Sequence, residues 1–179
     1  MAWKPQHKLQ TRERILTSAA ELFTHQGFDH VAIDQVMHHA GLTRGAFYAH
    51  FKNKSELYAE AIVFGARAKA AQIRPDTALN DIACQYLSAE HLHGQQKRCP
   101  LAFLTTDISQ RDSQVRDAYT RVFDGLVKRI ELGGLSRERA LQQAVLMVGG
   151  AAIANALNNE TLIDDLLTAC RKMTPLSQT

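Results

Sequence analysis

The residues whose types and spacing carry the most chemistry run Gly41-Leu42-Thr43-Arg44-Gly45-Ala46-Phe47-Tyr48-Ala49-His50-Phe51-Lys52-Asn53-Lys54. They combine a tight turn, a very short helix and a basic exit. Immediately upstream, Ile33, Val36, Met37 and Ala40 recur at the spacing that puts one apolar stripe on a helix. Two short helices joined by a glycine-containing turn make a helix-turn-helix unit. The second helix of such a unit fits a DNA major groove, which admits an α-helix and displays a distinct pattern for each base pair.

Other groupings offer different chemistry. Cys99 opens an expected helix behind Lys97-Arg98, a setting that favours the thiolate and so a redox or electrophile sensor. The alternative is a buried, inert thiol, since cysteine is among the most buried residue types. Phe64, Tyr86, Phe103, Tyr119, Phe123 and Met147 form an aromatic and apolar set that can line a ligand pocket between bundle helices or simply fill a core. Asp107 and Arg111 are candidate polar anchors for a ligand, or members of a solvated loop. Cys84, His91, His93 and Cys99 match no tight metal spacing, and no metal or cofactor is expected. Nucleophile elbow, phosphate loop, dinucleotide fingerprint and zinc-protease motif are all missing from the sequence, so an enzyme is not expected.

With 179 residues the chain suffices for one ordinary domain, or for a small domain joined to a medium one. Seven Lys/Arg face four acids in residues 1–54, whereas fourteen face fourteen in residues 55–179. The whole excess of +3 therefore sits in the first third, as expected if that part alone meets a polyanion. Three cysteines do not make a disulfide framework, and residues 1–8 are too polar to begin a signal peptide. The apolar run Ala144–Ala154 falls well short of the roughly 20 residues that span a bilayer. A soluble, reduced, cytoplasmic protein with no membrane partner is expected.

These groups need elements to position them, and every periodic segment reads as helix. The first carries Ile15, Leu16, Ala19, Ala20, Leu22 and Phe23 inward, with Thr11 as N-cap, Gly27 as stop and Phe28 folding back onto Phe23. The second spans about 33–40, with Ala32 where a capping side chain is preferred. The third spans about 44–49 with Thr43 as N-cap. A capping box, Asn53 to Glu56, starts a fourth, whose Leu57, Ala61, Phe64, Ala68 and Ala71 face inward up to Arg74-Pro75. Further helices are expected at about 76–93, from Pro100, along Val115–Ile130, at about 136–157 and at about 160–173. The last two, rich in small and apolar residues, read as a dimer face, or else as core. The division expected is a helix-turn-helix DNA-binding domain over 9–60, its helix-turn-helix at about 33–51, and a helical effector-binding and dimerisation domain over 61–179.

Ile15-Leu16-x-x-Ala19-x-x-Leu22-Phe23-x-x-x-Gly27-Phe28 and Val36-x-x-x-Ala40-Gly41-Leu42-Thr43-Arg44-Gly45-Ala46-Phe47-Tyr48-x-His50-Phe51-Lys52-x-Lys54-x-Glu56-Leu57 resemble the DNA-binding domain of the tetracycline-repressor (TetR) family over about residues 9–64. The remainder is similar only in helix count and order. The resemblance implies an all-α homodimer on a palindromic double-stranded operator, usually a repressor released by a small molecule, here expected to be apolar or amphipathic. It implies that Thr43 caps the reading helix and meets a phosphate, that Arg44 reads a guanine edge, and that Gly45 and Ala46 allow close approach. Tyr48, His50 and Lys54 would donate to phosphates, while Phe47 and Phe51 fill the core. The sequence departs from the family pattern at Val31 and Ala32, where hydroxyl residues commonly cap the second helix. A helical small-molecule-binding protein that does not act on DNA is the alternative.

Overall fold

A computed structural model of the chain describes residues 5–74, 76–93 and 98–173, and among these there are helices and no strand. Helix α1 (Pro5–Gln26) begins six residues before Thr11, which is therefore buried inside it rather than capping it. Ile15, Leu16, Ala19 and Phe23 form its buried stripe. Gly27 ends it with φ +76°, and the Phe28 ring returns to lie 6.1 Å from that of Phe23. Helix α2 (Ile33–His39) has no side-chain cap at Ala32 and buries Val36 and Met37.

The turn after α2 is a Schellman motif. Leu42 N–H donates to the Met37 carbonyl at 2.8 Å and Gly41 N–H to that of His38 at 2.9 Å, with Gly41 at φ +65°, which a side chain would strain. Arg44–Ala49 then form a single 3₁₀ helix. Thr43 has the extended backbone of an N-cap, but its side chain makes no capping bond; its carbonyl accepts from Ala46 N–H instead. Helix α3 (Lys54–Ala70) is capped as its sequence suggests, since Asn53 Oδ1 accepts from Glu56 N–H at 2.8 Å while the Glu56 carboxylate reaches back to Lys52 N–H.

Between α3 and residue 112 the helices are shorter than their periodicity suggests. The expected helix at 76–93 is two, α4 (Leu79–Tyr86) and α5 (Ala89–His93), because the Ser88 hydroxyl donates to the Gln85 carbonyl and accepts from His91 N–H, offering the backbone a break. The segment from Pro100 divides at Leu104 into α6 (Pro100–Phe103) and α7 (Thr105–Ile108). Three long helices follow, each started by a side chain that accepts from the amide three residues on: α8 (Ser113–Leu132) by Asp112, α9 (Arg137–Ala156) by Ser136 and α10 (Glu160–Lys172) by Asn159.

Two principal cores result. The first joins α1, α2, the 3₁₀ helix and α3 with Leu104, Ile108, Val115 and Ala118. The second is built from α4, α5, α8, α9 and α10 around Leu87, Met147, Ala151 and Leu167. Because α3 lies between α1 and α8, its buried residues are Leu57, Tyr58, Ala59, Ala61 and Ile62, and Ala71 is exposed. Val145 and Ile153 of α9 and Leu162 of α10 are large apolar side chains left in solvent.

Candidate nucleic-acid interface

The reading head is positioned from beneath and from behind. Phe47 and Phe51 are fully buried, their rings 5.8 Å apart, and form the floor of the 3₁₀ helix. Behind it, the Arg14 guanidinium donates to the Ala40 carbonyl at 2.7 Å, satisfying an orphan acceptor at the end of α2 and clamping the turn. What this scaffold leaves in solvent is Thr43, Arg44, Gly45 and Tyr48, the last 60% exposed. No Cβ built on Gly45 would meet anything within 4 Å, so its bareness serves whatever approaches from outside. Ala46 is half-buried.

Arg44 is engaged within the protein. Its guanidinium donates to Asp34 Oδ2 at 2.8 Å, and the Tyr48 hydroxyl and the Asp34 carboxylate push its pKa up. His50 is half-buried with its Nδ1 unpartnered, and burial followed by the charges of Lys8 and Arg12 pushes its pKa below the ordinary histidine value. Lys54 departs most from its sequence-based placement. Its Nζ stands 4.2 Å over the Phe28 ring, half-buried, and burial lowers its pKa. Lys52, not selected as a phosphate contact from the sequence, is the exposed cation at that corner. Asp34 and Arg14 were also missed. Their spacing to Arg44 and Ala40 has no local pattern and becomes meaningful only once the turn is folded.

A polar cluster ties this head to the rest of the chain. Asp107 accepts from the Tyr58 hydroxyl at 2.6 Å and from Arg111 at 2.7 Å, and Arg111 makes a bidentate pair with Asp29 while its guanidinium stands 4.6 Å over Phe28. The Asp107 hydrogen bond, after burial, pushes the Tyr58 pKa up. Asp107 and Arg111 thus join α7 and the α7–α8 loop to the α1–α2 loop and α3, rather than facing a cavity.

The candidate ligand residues divide. Phe64 packs on the first core, whereas Tyr86, Phe103, Phe123 and the fully buried Met147 meet in the second. Tyr119 lies beside Cys99, Leu101 and Val148, its hydroxyl donating to the Leu101 carbonyl at 2.8 Å. Cys99 is buried, and burial raises its pKa above the ordinary thiol value, the opposite of the activation its basic neighbours suggest. The Tyr86 hydroxyl faces that thiol without a well-formed hydrogen bond. Among the described residues no three His, Cys, Asp or Glu are placed to hold a metal, and no helix is long and apolar enough to cross a membrane.

Residues 15–61 match the family model described as "Bacterial regulatory proteins, tetR family". Among curated proteins, the HTH-type transcriptional regulator AcrR of Shigella flexneri is 44% identical over 61 residues, which are 34% of this chain and 28% of that protein. The chain thus spans under a third of AcrR. The HTH-type transcriptional repressor BepR of Brucella suis is 27% identical over 164 residues, 79% of this chain and 78% of that one. The fold recurs in the crystal structure of reduced NemR from E. coli, with TM-score 0.72 and 18% identity over 93% of this chain and 98% of that one. A TetR-family regulator from Cytophaga hutchinsonii superposes with TM-score 0.73 and 18% identity over 95% and 96%.

Proposed function

We propose that this chain, a TetR-family regulator by its residues 15–61, is a homodimeric repressor that binds a palindromic operator and leaves it when a small molecule binds the second helical unit. The observation that carries the DNA reading is the exposed row Thr43, Arg44, Gly45 and Tyr48 above buried Phe47 and Phe51. Arg44 reads a guanine edge, Gly45 and Ala46 admit close approach, and Thr43, Tyr48, His50 and Lys52 serve phosphates. Lys54 joins them only by leaving Phe28. The repressor sense follows BepR, an HTH-type transcriptional repressor.

Val145, Ile153 and Leu162 support a dimer through α9 and α10, which would repeat the reading head on a two-fold operator. The division into a DNA-binding domain over 9–60 and an effector and dimerisation domain over 61–179 belongs to the same reading. So does a small-molecule site among Tyr86, Phe103, Tyr119, Phe123 and Met147. The redox alternative at Cys99 lacks comparable support, because its thiol is buried and protonated.

Fluorescence anisotropy with duplex DNA flanking the protein's own gene, against a scrambled duplex, tests the reading. Log affinity should fall linearly with log salt at a slope of about −0.9 per phosphate neutralised. Equal affinity for both duplexes, or a slope near zero, would defeat it.

A further inference from the structure

Three buried polar atoms of the second helical unit have no hydrogen-bond partner: the Tyr86 hydroxyl, His91 Nε2 and Arg98 Nε. They belong to one cluster. The Tyr86 and His91 ring centroids are 4.5 Å apart, those of His91 and Phe103 5.8 Å, and the Arg98 guanidinium stands 5.0 Å above the Phe103 ring. An orphaned buried donor or acceptor destabilises a folded protein, so native structures keep few of them. Three within one contiguous group of side chains point to a group that arrives from outside.

The chemistry of the three atoms narrows that group. Arg98 Nε can only donate, and a tyrosine hydroxyl or a neutral imidazole nitrogen can also donate. His91 is only 6% exposed, and both charges that act on it, Lys69 and Arg98, are cationic. A set whose common capacity is donation, in a positive field, complements an oxyanion. The Tyr86, His91 and Phe103 rings pack on one another around these atoms, so an aromatic body extends that stack at its edge.

We infer that Tyr86, His91 and Arg98 form the polar end of the effector site, and that the effector is a small monocarboxylate with a flat apolar body. This rests on the reading that the second helical unit binds an effector. Charge-assisted bonds from Arg98 and the two neutral donors hold the carboxylate, and the aromatic rings take the body.

Titration calorimetry of the full chain with naphthoate, naphthamide and naphthylmethylammonium tests this. Naphthoate should bind about tenfold or more tightly than the amide, the worth of a hydrogen bond to a charged group, and the ammonium should bind more weakly still. Arg98→Gln should abolish the preference for carboxylate over amide, and Tyr86→Phe, which keeps the ring, should reduce that preference. If Arg98→Gln does not fold, Tyr86→Phe carries the test. Equal binding of amide and carboxylate, no binding of naphthoate, or a preference untouched by the variants would overturn the inference. Operator release is read separately by anisotropy. Naphthoate bound without release keeps the carboxylate site and removes the release mechanism; release by a neutral compound alone does the reverse.

Discussion

Arg44 donates to Asp34 at 2.8 Å across the turn of the reading head, so the side chain proposed to read a base is already held by an acceptor of the protein's own. Both side chains are mostly in solvent, so the pair adds little to stability. Its effect falls on recognition. A guanine edge offers Arg44 two acceptors in exchange for Asp34, whereas a wrong base offers a poorer exchange. Asp34→Asn should therefore tighten binding to scrambled DNA more than to the operator, lowering the specificity ratio. The same ratio in the variant and the native chain would make Asp34 a bystander.

Arg44 and Lys52 should fail differently when truncated. Arg44→Ala should weaken the operator about tenfold or more and relax preference at one base position. Lys52→Ala should weaken all sequences alike and shallow the salt slope by about one. Binding measured against operators substituted one position at a time separates the two. If Lys52→Ala leaves the slope unchanged while Lys54→Ala shallows it, the phosphate contact belongs to Lys54 after all.

His91 makes stability depend on pH. Burial, with Lys69 and Arg98, pushes its folded pKa to about 4, below the unfolded value of about 6.5. The unfolded chain then binds the proton first, so stability is lost as pH falls from about 6.5 to about 4, by about 3 kcal/mol at most. Well above pH 7 both states carry a neutral imidazole and this proton-linked loss vanishes. Urea midpoints at pH 7.5 and pH 4.5 should drop further for the native chain than for His91→Gln. An equal drop in both would remove His91 from the account.

The dimer face is best tested at residues the fold does not need. Ala152 and Leu166 are half-buried against the second core, so a charge there damages packing as well as any interface. Ile153 is 55% exposed. Ile153→Glu should sediment as a monomer with unchanged helical circular dichroism and should lose operator affinity. A dimer of undiminished affinity would place the interface elsewhere.

The first third was readable because its signals are local. Gly27, Gly41 and the Asn53–Glu56 box act within a few residues, and Phe28 returns to Phe23 from a turn away. The breaks at Ser88 and Leu104 were not readable, since each interrupts a run that keeps its apolar period. Nor could the partner of a polar side chain be foreseen. Arg111 and Asp29 stand 82 positions apart, and Lys54 rests on Phe28 only because Gly27 turns the chain there. The same distance effect separated Phe64 from Tyr86, Phe103 and Phe123 of its expected set, while Tyr119 packs on the first core with it.

Helix α8 puts Val115 and Ala118 into the first core and Val127 and Ile130 into the second. Mechanically it is one beam through two walls. Neither wall can melt without dragging on the beam, so urea unfolding followed by fluorescence and by circular dichroism should trace a single cooperative transition. Residues 9–60 expressed alone would lack the lid that Leu104, Ile108, Val115 and Ala118 place over the first core. That fragment should aggregate or bind a hydrophobic dye, because what looks in sequence like a separable module has borrowed part of its interior from downstream.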